Sequence, residues 1–155
     1  MKMTPELVQA SEKMKPGQIS KDGFLGTDDR PLVDILEDQT AECARLGISH
    51  EDLGEKMESI AQAGMKGLGE SVVLDDTWEI TADENRGKIP CPFPHPGVFQ
   101  KTVYTVKNLR TAKTIRFTEL SIHMIKAHCF FQGPGAPFYN SPAALVEVLE
   151  IGPST

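Results

Sequence analysis

With 155 residues, 39% of them apolar and 25% charged, and a net charge of −6, the chain has the means to build one ordinary core, which excludes wholesale disorder. No apolar run approaches the roughly 18 residues a membrane span needs. Three cysteines, Cys43, Cys91 and Cys129, are too few and odd in number for a secreted disulfide scaffold.

The opening MKMTPELVQASEKMK has no apolar signal-peptide core, so a cytoplasmic location is expected. Thr4-Pro5-Glu6 starts a first helix that Gly17 stops. Gln18 to Arg30, with Gly23 and Gly26, reads as a loop. A second helix is expected from about Pro31 to Leu46, its apolar side marked by Leu32, Ile35, Leu36 and Cys43, with Gly47 at its end. Ser49 and Asp52 resemble a capping box opening a third helix, along which Leu53, Met57, Ile60 and Ala61 recur at helical spacing.

The pattern changes near residue 70. Ser71–Leu74 and Thr77–Thr81 are β-like runs around Asp75-Asp76, and Thr102–Val106 and Thr114–Phe117 form a second such pair. Between the two pairs lies a knuckle with Pro90, Pro92, Pro94 and Pro96. Thr118 caps a helix expected to reach about Phe131, and Ser141-Pro142 opens a last one. The fold class that follows is α+β, one domain over 1–155. An acidic helical part (1–69) precedes a part (70–155) with two β-hairpins and C-terminal helices, all around one core.

Chemistry concentrates in the second part. Cys91-Pro92-Phe93-Pro94-His95-Pro96-Gly97 sets a thiol and an imidazole four positions apart on a stiff turn. Zinc, bound at about 2.0–2.3 Å from each ligand, needs side chains that converge in this way. His123 and His128 add two imidazoles on the helix after Thr118. Five residues apart, they point about 140° from one another on an ideal helix, so the last turn is expected to loosen. Glu119, four before His123, could orient that imidazole or could serve as a first-turn acid. Cys91, His95, His123 and His128 are the expected ligands of a zinc ion whose role is structural, because four protein ligands leave no place for an activated water.

A ligand pair on a knuckle, a hairpin, and a helix bearing H-x4-H with Leu120 three before His123 resemble a zinc finger with two cysteines and two histidines. The resemblance covers residues 91–128. His95 stands where that family has cysteine, and the gap from His95 to His123 is longer than in a finger. Residues 86–149 also resemble small uncharacterised bacterial proteins described as cytosolic, a resemblance that implies no activity.

Charge is segregated. Residues 28–67 hold ten acids and four bases, whereas 86–126 hold eight bases and one acid. Lys101, Lys107, Arg110, Lys113 and Arg116 would be the contacts if this basic hairpin met a nucleic acid; otherwise they are a solvated face. A helix-turn-helix reading around Ala44–Ser49 fails on charge, since His50-Glu51-Asp52 would meet phosphates. No serine elbow, paired carboxylates, P-loop or dinucleotide fingerprint is present. The expected role is non-enzymatic: a cytosolic binding or scaffold protein with a structural zinc, its partner a protein or a nucleic acid. The alternatives are nucleic-acid binding through 101–116 and a metal-dependent hydrolase.

Overall fold

A computed structural model describes residues 3–94 and 96–152. The fold is α+β. Among the described residues, helices α1 (Pro5–Lys13), α2 (Leu32–Leu46) and α3 (His50–Met65) precede strands β1 (Val72–Leu74), β2 (Trp78–Pro90), β3 (Val98–Asn108) and β4 (Thr114–Thr118). Helices α4 (Glu119–His128) and α5 (Pro142–Leu149) follow. No helix among these residues is long and apolar enough to cross a membrane.

The helix starts lie where capping chemistry puts them. Thr4, Ser49, Thr118 and Ser141 each accept a hydrogen bond from the backbone N–H three residues on, satisfying a donor that has no partner inside the helix. The reciprocal capping box is at Thr118 and Ser121, whereas Ser49 makes only the forward half of one. Gly47 ends α2 in the left-handed region, at φ 69°.

The two expected hairpins are parts of one antiparallel sheet ordered β1-β2-β3-β4. Asp75 and Asp76 both take positive φ, and Thr77 N–H donates to Leu74 O at 3.0 Å, closing the first turn. The longest ladder joins β2 to β3, and register shifts between Asn85 and Lys88 mark a bulge. β2 runs to Pro90, well past the expected Thr81. Its stretch Asp83–Lys88 is exposed at every position, so no apolar alternation announces it. The knuckle is thus the tip of the β2–β3 hairpin.

One side of the sheet is apolar: Ile80 pairs with Val106, Ala82 with Tyr104, and these with Ile115 and Phe117. This side packs with Leu53, Met57 and Ile60 of α3, Ile122 and Ile125 of α4, and Leu145, Val148 and Leu149 of α5. A second cluster joins Ala10 and Met14 of α1, Leu32 and Ile35 of α2, Phe24, Cys91 and Phe93 with Leu120, Met124 and Phe130. The core is therefore double, with α4 shared between its halves. Buried polar groups between elements find partners. Trp78 Nε1 and Asn108 Nδ2 both donate to Val148 O at 2.8 Å. Gln39 donates to Gln132 O at 2.7 Å and accepts from Phe131 N at 3.0 Å.

Candidate metal centre

The tip of the long hairpin folds against α4. Cys91 follows the last residue of β2 and is buried in the second cluster beside Phe93, Leu120 and Met124. His123 lies in the middle of α4 and His128 is its last residue. One ligand atom from each of Cys91, His123 and His128 lies within 4.8 Å of the other two. Sequence reasoning brings these three together, and the structure does so too. The fourth expected ligand, His95, lies outside the described residues.

The expected loosening of α4 does not occur. The helix stays regular through His128, and the chain turns only at Cys129, which adopts φ 52° and ψ 40°. The imidazoles meet because both reach toward the hairpin tip; their ring centroids are 5.2 Å apart and nearly perpendicular. A phenylalanine holds each ring. Phe93 stacks on His128 at 4.1 Å and 11°, and Phe99 stacks on His123 at 4.5 Å and 30°. Phe93 is itself braced edge-on by Phe130 at 5.8 Å. Sequence reasoning missed both aromatic clamps. The only hint was the position of Phe93 between Cys91 and His95.

The donor set suits a borderline-soft ion such as zinc, which takes thiolate sulfur and imidazole nitrogen together. Tetrahedral bonds of about 2.0–2.3 Å place neighbouring ligand atoms roughly 3.4–3.8 Å apart. A contraction of about 1 Å, within reach of side-chain rotation, would bring the three donors to that spacing. Burial pushes the Cys91 thiol above its ordinary pKa, against smaller opposite pulls from the Phe93 backbone and Lys13. Near neutral pH the thiol keeps its proton, so an arriving cation would have to displace it.

Glu119, expected beside His123, has its carboxylate on the Tyr104 hydroxyl, which donates to Oε1. Burial and that carboxylate hold the Tyr104 pKa above its usual range. Glu119 thus ties α4 to the sheet. His50, the histidine outside the set, also braces α4: its Nδ1 lies 3.0 Å from both Ile125 O and Lys126 O. Facing two carbonyls, that nitrogen must carry the proton. Lys126 reaches back to Glu58 on α3 at 2.6 Å.

The basic residues are dispersed. Arg110 pairs with Glu150 at 2.9 Å and Lys113 with Glu147 at 2.5 Å, both acids at the α5 end. Arg116 lies over the Phe138 ring, Lys107 sits opposite Glu79 on β2, and Lys101 is exposed near the hairpin tip. The stretch is therefore tied to acidic neighbours at two points, Arg110 and Lys113. The remaining cysteines are also structural neighbours. The Cys129 and Cys43 thiols influence one another, the one being lowered and the other raised from the ordinary cysteine pKa, and Thr40 Oγ1 donates to Cys129 Sγ at 3.7 Å.

The comparisons bear on family alone: no protein-family model, no curated protein and no solved structure matches this chain, so neither the finger-like module nor a bacterial relationship gains support from them.

Proposed function

We propose that this chain is a non-enzymatic binding or scaffold protein in which a zinc ion pins the tip of the β2–β3 hairpin to α4. The observation that supports it is the convergence of Cys91, His123 and His128 within 4.8 Å, drawn from two elements far apart in the sequence. In this reading His95 supplies the fourth ligand from the same tip as Cys91. Phe93 and Phe99 cover the faces of the imidazoles, an arrangement that suits a closed structural ion better than an open site for substrate. A thiolate formed at buried Cys91 would be stabilised by the cation, which offsets the desolvation that otherwise keeps it protonated.

The test is metal analysis of protein purified without added metal and again after equilibration with zinc sulfate. About one zinc per chain is expected in the wild type, with near-complete loss in Cys91→Ser and His123→Ala and marked loss in His95→Ala. A wild-type chain that holds no zinc after equilibration overturns the proposal, as does His123→Ala retaining the full complement.

A further inference from the structure

A second candidate site adjoins the apolar cluster that holds Cys91 but includes none of the metal ligands. Between the β2–β3 ladder, the start of α4 and the loops 19–24 and 132–138 there is a cleft of about 520 Å³, within the size range of small-molecule sites. Its walls are mainly apolar: Ile19, Phe24, Ile89, Val103, Leu120 and Phe138. Its polar rim carries Lys21, Asp22 and Lys101.

The walls are built to stay open. Phe24 N–H donates to Met14 O at 2.9 Å and Gly133 N–H to Phe24 O at 2.9 Å, so the first loop is sewn to α1 on one side and to the second loop on the other. Thr27 N–H adds a bond to Pro134 O at 2.7 Å. The two loops approach so closely that a Cβ on Gly133 would collide with the Leu25 carbonyl, and one on Gly26 with that of Pro134. Glycine is required at both places, and the cost of shaping the cleft is met in folding rather than in binding.

The rim sets the charge of the occupant. On a chain with net charge −6, the cleft mouth has two cations and one anion. Neither Lys21 nor Lys101 makes an ion pair among the described residues, so both ammonium groups can meet an anion at the mouth. Asp22, on the same lining, disfavours a dianion. We infer that this cleft binds a small apolar monocarboxylate, its hydrocarbon body against Phe24, Val103 and Leu120 and its carboxylate at Lys101 and Lys21.

Isothermal titration with decanoate, decan-1-ol and decyltrimethylammonium, each below its micelle concentration, tests this. Saturable one-to-one binding of decanoate is expected, with the alcohol and the cation each at least about tenfold weaker, and decanoate about tenfold weaker in Lys101→Met. Val103→Trp, at a half-buried strand position that accepts aromatic residues, should fill the cleft and abolish binding. Should that variant not fold, a photoactivatable diazirine analogue of decanoate on the wild type should label peptides 19–24, 101–103 or 132–138. No saturable binding overturns the proposal. So does equal affinity for all three probes, undiminished binding in folded Val103→Trp, or labelling confined to other peptides. Binding is read on the wild-type protein with these probes alone, so its outcome is scored independently of whether zinc is found.

Discussion

Gly54→Ala sets two physical effects against each other at the contact that positions both imidazoles. Gly54 is a buried residue of α3 facing α4, and a Cβ built on it would stand 2.5 Å from Lys126 Cβ and 3.0 Å from Lys126 Cα. Helix propensity alone favours alanine over glycine by about 1 kcal/mol. Carbon atoms, however, rest at about 3.5–4.0 Å, so α4 would have to withdraw by about 1 Å, and overpacking of this kind costs about 1–3 kcal/mol. The obstructing atoms are backbone and Cβ, which cannot swing aside as the end of a lysine can. The collision wins, with a net loss of about 1 kcal/mol and a midpoint about 2–4 °C lower. Urea and thermal unfolding, followed through the buried Trp78, read this out. The same withdrawal moves His123 and His128 relative to Cys91, so zinc should bind more weakly than to the wild type. A variant as stable as the wild type or more so would refute the close α3–α4 packing.

Other expected outcomes follow from single contacts. Gln39→Leu leaves the Phe131 N–H and Gln132 C=O without their partner inside the protein, at about 1–3 kcal/mol per orphaned group, measurable as a lower urea midpoint. Gly133→Ala drives a methyl into the Leu25 carbonyl and should cost about 1–3 kcal/mol despite the lower backbone entropy of alanine when unfolded. Tyr104 is held above its ordinary pKa, so above about pH 10 the folded state keeps a proton that the unfolded chain has lost. Stability should be undiminished by this group below pH 10 and fall as pH rises beyond it, less steeply in Tyr104→Phe; equal slopes would count against the assignment. Lys113→Ala and Arg110→Ala break exposed pairs and should change stability by less than about 1 kcal/mol each, with salt weakening the effect further.

Much of this arrangement was legible in the residues because it is local. A hydroxyl three positions ahead of a backbone donor announces a helix, and Thr4, Ser49, Thr118 and Ser141 all do so. Cys91 with the paired imidazoles stood out because metal-ligand spacing is a sequence property. The rest depends on tertiary neighbours. The Asp83–Lys88 stretch of β2 is a strand only because β3 lies beside it, and its exposed side chains leave no alternation to read. The 140° between His123 and His128 implied a broken helix, whereas the tip that carries Cys91 removes the need for one. Phe93 and Phe99 clamp rings that only folding brings to them. Glu119 met Tyr104 for the same reason, since a strand residue fifteen positions earlier leaves no trace on a helical wheel.

Zinc K-edge X-ray absorption on the loaded wild-type protein addresses the central claim most directly. One sulfur at about 2.3 Å with imidazole nitrogens at about 2.0–2.1 Å is the expected shell, and the sulfur should vanish in Cys91→Ser. A shell of oxygens alone, or one whose sulfur survives the loss of Cys91, would contradict the account.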